Sequence, residues 1–162
     1  MASEHQSEKN QHAVVSTHQQ AIITRICEQL FVDYARHLDF RDYDRFVDLF
    51  AQDGALNVAG KLQGKEKIRR AMSRRTDELR SRHVITNIAI DVLSETTASG
   101  IAYLSLYRHI GAESLVDEPV MLRGPAAIGH YTNSFKLTVD GWRIASCDLD
   151  FAFQDPSHFP PS

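Results

Sequence analysis

The second half of the chain alternates in hydrophobicity with a period of two, and this feature constrains the fold most. Apolar and other residues alternate from His83 to Val92, and again over residues 100–110, 126–139 and 142–153. Successive side chains of a β-strand point to opposite faces, so the pattern predicts four long strands. Polar turn sequences separate them, which favours antiparallel neighbours. Because the first strand is apolar on much of both faces, we expect both faces to be covered.

The last two strands can pair in two registers. A two-residue turn over Asp140 and Gly141 would mix polar and apolar residues on one face. A three-residue loop over 139–141, with Gly141 left-handed in a bulge, shifts the pairing by one residue and gives an apolar interior and a polar exterior. Amphipathicity therefore favours the second register. The inner face would then carry Tyr131, Asn133, Phe135, Ala145, Cys147, Leu149 and Phe151.

The first half of the chain carries helical patterns. Ser16 with Gln19 three residues later is a capping-box sequence, and apolar residues then recur every four positions up to Leu38. Together they predict a helix of about five turns. Asp42 is the expected N-cap of a second, short helix that ends at Gly54.

A short strand over 55–59 and a third helix over about 65–79 should follow. Eight of the eighteen basic residues lie between 65 and 82. Acidic residues are interleaved with them and stacking aromatic residues are absent, which favours a solvated helix face over a phosphate-binding stripe. The net charge of −3 gives no positive field to attract nucleic acid or an acidic membrane, so we expect neither partner.

Three helices followed by long antiparallel strands predict an α+β fold with the helices gathered on one side of a curved sheet. A sheet wrapped round a long helix leaves a cone-shaped cavity, which is a natural site for a small molecule. The length of 162 residues fits one domain. We expect a flexible N-terminal tail at 1–15, the domain at 16–153 and an irregular C-terminal tail at 154–162.

The sequence has no P-loop, no dinucleotide-binding glycine motif, no HExxH and no cysteine cluster. We therefore expect no metal and no cofactor, and acid–base chemistry by side chains alone. Cys27 and Cys147 are too few for a disulfide framework, which fits a reducing compartment. Because the sequence shows neither a signal-peptide pattern nor a long apolar run, a cytoplasmic protein is expected.

Tyr34, Asp39 and His83 are the candidates for chemistry. A histidine can accept a proton near neutral pH, and a carboxylate on its other nitrogen would orient it and stabilise the imidazolium. A tyrosine hydroxyl could donate to a carbonyl or a departing oxygen. Side chains five positions apart lie about 140° apart on a helix, so the helix should end or loosen before Asp39. From the residues alone, a core tyrosine, a helix-terminal aspartate and a satisfied core histidine remain the alternative.

Several segments resemble the SnoaL-like branch of the NTF2-like superfamily. They are Tyr34-Ala35-Arg36-His37-Leu38-Asp39 with the following residues 42–46, His83-Val84-Ile85-Thr86-Asn87, the polar turn at 94–100, and Gly129-His130-Tyr131-Thr132-Asn133 with Asp140-Gly141-Trp142. The resemblance covers about residues 18–153. It implies the NTF2-like cone, in which three N-terminal helices pack on a strongly curved, mainly antiparallel sheet that encloses a cavity.

Within this superfamily the sequence is most similar to scytalone dehydratases, hexachlorocyclohexane dehydrochlorinases and bile-acid 7α-dehydratases, which are cofactor-independent lyases. Their shared aspartate–histidine dyad falls on Asp39 and His83. The tyrosine that the bile-acid enzymes carry five residues before the aspartate falls on Tyr34. The resemblance therefore implies catalytic roles for these three residues.

The groups that assist the leaving group differ from those enzymes. Arg108 stands where the scytalone enzymes have a second histidine, Leu106 where the bile-acid enzymes have an acidic residue, and Cys147 where the dehydrochlorinases have an arginine. Inside a cavity, the Arg108 guanidinium could hold a carboxylate or an enolate oxygen; the alternative is a rim arginine paired with an acid. The substrates of the three enzymes are therefore not expected to transfer to this chain.

These features predict a cofactor-independent lyase of the dehydratase type, or a related isomerase or cyclase, acting on a small, mostly apolar molecule. The predicted binding residues are Arg108, Asn87, Asn133, Leu104, Leu106, Tyr131, Phe135, Cys147, Leu149 and Phe151. Two alternatives stay open: a non-catalytic module that binds a small molecule or oligomerises, and an accessory subunit resembling the β subunit of ring-hydroxylating dioxygenases. Val84, Ile88, Ile90 and Val92 suggest an apolar sheet face, so we expect a homodimer or homotrimer.

Overall fold

The computed structural model describes residues 15–58 and 60–159. Its elements follow the predicted order of two helices, a short strand, a third helix and four long strands, with one further short strand before the third helix. The predicted tail at 1–15 lies outside the described residues except for Val15, which is buried. The helices are α1 (Thr17–Asp39), α2 (Tyr43–Asp48) and α3 (Lys65–Met72). The strands are β1 (Phe50–Asn57), β2 (Lys61–Gln63), β3 (Leu79–Val92), β4 (Thr97–Ile110), β5 (Ala127–Thr138) and β6 (Gly141–Gln154).

Helix α1 begins at the predicted capping box. The Ser16 hydroxyl accepts a hydrogen bond from the Gln19 backbone N–H, and the Gln19 side chain accepts one from the Ser16 N–H. The prediction that the helix ends or loosens before Asp39 is wrong, because α1 continues to Asp39 and the Phe40 N–H still donates to the Arg36 carbonyl at 3.0 Å. Asp39 is therefore the last helical residue, and its side chain extends from the end of α1 toward β3.

Helices α2 and α3 are shorter than predicted. Asp42 is the N-cap of α2, as expected, but the helix stops at Asp48 rather than continuing to Gly54. The chain pairs with strand β6 at this point, since the Ile144 N–H donates to the Leu49 carbonyl at 2.8 Å. Helix α3 likewise ends at Met72 instead of Leu79. The residues after Met72 are therefore not helical, and their side chains need not lie on one face of a helix.

The six strands form one mixed sheet in the order β2-β1-β6-β5-β4-β3. All neighbours are antiparallel except β1 and β6, which run parallel. The inner face of the sheet packs on α1, where the rings of Phe31 and Phe135 meet edge to face at 5.5 Å. The α+β cone predicted from the sequence is confirmed.

A β-bulge in β3 explains why this strand is apolar on both faces. The pairing with β4 shifts by one residue between Thr86 and Ala89, and Asn87 takes a positive φ of 50°. The bulge moves Ile88, Ile90 and Val92 onto the inner face, where they pack against the core. The prediction that these three residues share one exposed apolar face with Val84 is therefore wrong, since only Val84 of the four is on the outer face.

The β5–β6 hairpin has the predicted register in its middle and a different turn. Tyr131 pairs with Leu149 and Asn133 with Cys147, as expected. The turn itself is tighter than predicted, with Thr138 opposite Gly141, and the one-residue difference is absorbed at Ala145. Ile144 therefore takes the inner place predicted for Ala145, while Gly141 has the left-handed φ expected, 99°.

Gly129 allows β5 to lie against a second irregularity of β6. A methyl group on its Cα would overlap the Asp150 carbonyl oxygen and lie 2.9 Å from Phe151 Cα, so rigid backbone would have to move. We expect Gly129→Ala to destabilise the protein by about 1–3 kcal/mol, the usual range for overpacking. Urea unfolding followed by circular dichroism measures this loss.

The matched control is Gly111→Ala, whose added methyl would meet only the ends of the Glu113 and His109 side chains. Such ends can rotate away, so its free energy of unfolding should stay within about 0.5 kcal/mol of wild type. Equal losses in the two variants would contradict the backbone clash at Gly129.

Candidate active site

The end of α1 and the inner face of β3 bring Asp39 and His83 into contact. Asp39 Oδ1 lies 2.6 Å from His83 Nδ1, and Asp39 Oδ2 accepts a hydrogen bond of 2.7 Å from the His83 backbone N–H. The Ser81 hydroxyl donates to Asp39 Oδ1 at 2.8 Å. Only 6% of the Asp39 side chain and 8% of the His83 side chain are exposed, so little water competes with these bonds.

The contact with Asp39 fixes which ring nitrogen of His83 is available. An ionised carboxylate only accepts hydrogen bonds, so Nδ1 carries a proton, and Nε2 is the ring nitrogen that faces away from Asp39. Burial opposes the ionisation of Asp39, but the hydrogen bonds from His83 and Ser81 outweigh it and lower the pKa of Asp39 below its usual value. Asp39 is therefore a carboxylate that holds one ring nitrogen of His83 and leaves the other without a described partner.

The dyad borders a cavity of about 570 Å³ between the sheet and the helices. This volume suits a small organic molecule. Most of the wall is apolar and aromatic. The residues that line it are Tyr34, Leu38, Phe46, Leu56, Val58, Gly60, Leu62, Ala71, Met72, Arg75, Leu79, Ser81, His83, Leu106, Arg108, Tyr131, Leu149, Phe151, Gln154 and Phe159.

Tyr34 lies in the cavity wall next to Tyr131, with ring centroids 5.1 Å apart. Burial, together with the nearby Tyr131 and Cys147, raises the pKa of Tyr34 well above its usual value. Burial likewise raises the pKa of Tyr131. Both hydroxyls therefore stay protonated across the physiological range and are able to donate hydrogen bonds to a bound molecule.

Two arginines line the same cavity, Arg108 on β4 and Arg75 between α3 and β3. Arg108 stacks on the Phe159 ring at 4.9 Å, and Arg75 lies 5.7 Å from the centre of the Tyr43 ring. The Nε atoms of both arginines are buried and have no hydrogen-bond partner in the described part of the chain. The alternative of a rim arginine paired with an acid does not hold for Arg108, since no described carboxylate lies within 4 Å of it.

Five of the predicted binding residues lie away from the cavity wall. Leu104, Asn133, Phe135 and Cys147 are on the inner face but are buried within the core. Asn87 is exposed because it forms the bulge of β3. The alternation of the strands identifies the inner face, but it does not tell which inner residues are covered by α1 and which border the hollow.

The site residues that the sequence reasoning missed include Ser81, Arg75 and Phe159. Ser81 precedes His83 by two positions, so strand alternation could have placed it on the same face. Arg75 is one of the eight basic residues that the sequence analysis interpreted as a solvated helix face. It lies outside that face only because α3 ends at Met72. Phe159 lies in the segment predicted to be irregular, yet its ring contacts Phe151 at 5.4 Å between centroids.

Among residues 15–58 and 60–159, no group of three or more histidine, cysteine, aspartate or glutamate side chains is arranged to hold a metal ion. None of the helices in this part of the chain is both long and apolar enough to cross a membrane.

The curved mixed sheet, the long helix across it and the cavity between them define an α+β cone of the NTF2-like kind. The chain belongs to the SnoaL-like domain family, whose sequence model matches residues 19–148. A search among curated protein sequences found no match.

Solved structures share the fold at low sequence identity. A proposed scytalone dehydratase from Novosphingobium aromaticivorans is 18% identical, with 86% of this chain and 91% of that chain covered and a TM-score of 0.70. A hexachlorocyclohexane dehydrochlorinase from Novosphingobium barchaimii is 14% identical, with 86% and 93% covered and a TM-score of 0.70. A protein of unknown function with a cystatin-like fold from Nostoc punctiforme is 20% identical, with 88% and 96% covered and a TM-score of 0.64.

The hydrogen bonds to Asp39 should make stability depend on pH. Because the folded state lowers the pKa of Asp39, its stabilising effect is complete above the unfolded-state pKa, about 3.9, and is lost as pH falls through the folded value. We expect Asp39→Asn to cost about 1–3 kcal/mol at neutral pH, the range for bonds to a charged group. Urea unfolding from about pH 6 to about pH 3 should show that the difference in free energy of unfolding between Asp39→Asn and wild type becomes smaller as the pH falls.

Asp140→Asn is the control, since Asp140 lies exposed in the β5–β6 turn. It should change the free energy of unfolding by less than about 0.5 kcal/mol across the same range. A gap for Asp39→Asn that stays constant with pH would contradict the preferential stabilisation of the ionised carboxylate.

Proposed function

We propose that the protein is a lyase of the dehydratase type, or a related isomerase or cyclase, in which His83 is the general base. The observation that supports this most is the 2.6 Å contact between His83 Nδ1 and Asp39 Oδ1 at the edge of a mostly apolar cavity. A base of this kind needs no nucleophile and no group beyond side chains. The similarity to the scytalone and dehydrochlorinase structures supports the fold in which such chemistry occurs.

The reaction would start at His83 Nε2. This nitrogen removes a proton from a carbon that a neighbouring carbonyl makes acidic, and the electron pair of the broken C–H bond moves into an enolate. The imidazolium that forms is stabilised by Asp39, which stays ionised. In an elimination, the electron pair then forms the C=C bond and expels a hydroxyl or halide on the next carbon; in an isomerisation, the proton returns to another carbon.

Tyr34 would act as the hydrogen-bond donor. Its buried, protonated hydroxyl can stabilise the enolate oxygen or assist a departing hydroxyl group. Tyr131, the neighbouring hydroxyl in the wall, can donate to the same oxygen. The apolar wall around them keeps water away and strengthens both interactions.

Proton abstraction can be measured without knowing the natural substrate. Cyclic ketones, β-hydroxyketones and chlorinated cycloalkanes are incubated with the protein in D₂O, and deuterium uptake and elimination products are followed by mass spectrometry. Loss of a general base lowers rates by about 10²–10⁴-fold, so we expect His83→Ala to lose wild-type exchange by that factor. Tyr34→Phe, which removes the donor but not the base, should lose less.

His130→Ala is the matched control. His130 also faces an aspartate, Asp150, at 3.9 Å, but this pair lies on the outer face of the sheet. The control should retain wild-type exchange. Exchange within a few-fold of wild type in His83→Ala, or no exchange by the wild type across the panel, would contradict the proposed base.

We also propose that the protein self-associates through the outer face of the sheet. Tyr103 is 52% exposed and Phe153 is 70% exposed there, beside Val84, Ile101 and Ile128. Exposed apolar patches on a sheet commonly mark interfaces. Light scattering coupled to size-exclusion chromatography should give the mass of a dimer or trimer, and Tyr103→Glu should shift it toward the monomer.

The reducing cytoplasm is the location that we propose. Cys27 and Cys147 are both free and buried, so neither takes part in a disulfide. Burial raises the pKa of the Cys27 thiol to about 12, which keeps it protonated and unreactive.

A further inference from the structure

The charged groups that line the cavity are of one sign. Arg75 and Arg108 contribute to the wall, while no aspartate or glutamate of the described residues does. Asp39 stands behind His83 and is already engaged by three hydrogen bonds. Neither arginine lies within 4 Å of a carboxylate in the described part of the chain. Two cations therefore share one apolar cavity without a counter-ion from these residues.

Each guanidinium group lies over an aromatic ring. The guanidinium carbon is 4.9 Å from the centre of the Phe159 ring in Arg108 and 5.7 Å from the centre of the Tyr43 ring in Arg75. A ring contact of this kind does not use the N–H groups, which point in the plane of the guanidinium and can donate hydrogen bonds. Their Nε atoms are buried without an acceptor among residues 15–58 and 60–159. Buried donors are normally paired, so the hydrogen bonding of both arginines is incomplete within this part of the chain.

The electrostatics of the pair point the same way. Burial, and to a lesser extent the charge of Arg75, lower the pKa of Arg108. Two like charges at close range in an apolar environment repel each other, and a bound anion removes that repulsion. The anion also regains the hydrogen bonds that the arginines lack.

The position of Arg108 connects this pair to the base. On the β3–β4 ladder, Ser81 pairs with Arg108 and His83 pairs with Leu106, so Arg108 is the diagonal neighbour of His83 on the inner face. Diagonal neighbours across antiparallel strands lie about 7–8 Å apart at the backbone. An anionic group on Arg108 would therefore belong to a molecule that reaches His83.

We propose that Arg75 and Arg108 form a carboxylate-binding subsite and that the cavity takes a small apolar carboxylic acid, with its body on the aromatic wall. A carboxylate matches the planar, two-pronged donor edge of a guanidinium. The rest of the wall is mostly apolar, which suits the hydrocarbon body of an organic acid better than a strongly hydrated phosphate dianion. The claim that His83 deprotonates this acid rests on the proposed function. The claim that the acid binds is independent of it.

Matched acids and amides test the subsite. Binding of benzoate and naphthoate, and of the neutral benzamide and naphthamide, is measured by calorimetry and by NMR chemical shifts of the His83 ring. We expect the wild type to bind each acid at least about tenfold more tightly than its amide, since charge-assisted bonds are the stronger kind. Arg75→Gln and Arg108→Gln should each remove most of that preference while leaving amide affinity within about threefold.

Two further variants keep the test decisive. Arg74→Gln removes the same charge from an exposed neighbour and should leave every affinity unchanged. Arg108→Lys keeps the charge but loses the planar donor edge, so an intermediate preference is expected; it replaces Arg108→Gln if that variant does not fold. Inorganic phosphate is titrated as the competitor, and we expect it to displace naphthoate only weakly.

The outcomes separate the two proposals. Equal binding of acids and amides, absence of binding by both acids, an unchanged preference in the arginine variants, or phosphate binding more tightly than naphthoate would each overturn the subsite. His83→Ala should lose deuterium exchange and still bind naphthoate. Acid binding without any exchange that depends on His83 would leave the subsite standing and overturn the general base.

Discussion

The carboxylate of Asp39 connects the helical layer to the sheet, and the arrangement of the site depends on this connection. It lies at the end of α1 and accepts hydrogen bonds from the backbone and the ring of His83 and from the hydroxyl of Ser81. All three donors belong to one edge strand, β3. Because the contact is almost fully buried, it fixes the ring of His83 as well as the distance between α1 and the strand. The same side chain therefore serves the packing and the chemistry.

Local irregularities of the strands give the sheet its inner surface. The bulge at Asn87 shifts the in–out alternation of β3 by one residue. Ser81, His83 and the apolar residues beyond the bulge therefore all face α1. In β6, the irregularities near Ala145 and Ala152 keep Cys147, Leu149 and Phe151 inside. Bulges also increase strand twist and bending, which a sheet needs in order to curl round a helix. The hollow is thus produced by a few extra residues in otherwise regular strands.

The cavity combines the Asp39–His83 dyad with two cations that have no paired carboxylate among the described residues. The Asp39 carboxylate stands behind His83, where it is held by three hydrogen bonds. Arg75 and Arg108 instead leave donor edges unpaired beside an apolar wall. Proteins of this fold at 14–20% identity share the cone, but identity that low carries over the fold alone. The side chains of the wall are therefore the place where this chain's specificity is to be sought.

Much of the site could be found from the sequence, because some of its features are local. The capping box at Ser16, the N-cap at Asp42 and the alternation through Tyr131 and Leu149 each depend on a few neighbouring residues. Helix ends were harder, since the hydrogen bond from Ile144 to Leu49 comes from a strand almost a hundred residues away. Family resemblance supplied the pairing of positions 39 and 83, which spacing by itself could not.

The sequence alone determined which residues are apolar, which strands alternate and which side chains can transfer a proton. Only the tertiary structure decided which of these residues share a wall. Arg75 lies beyond the early end of α3 and lines the cavity, whereas Asn133 is buried in the core away from the cavity wall. Contacts of this kind join segments that are distant in the chain, and no local pattern encodes them.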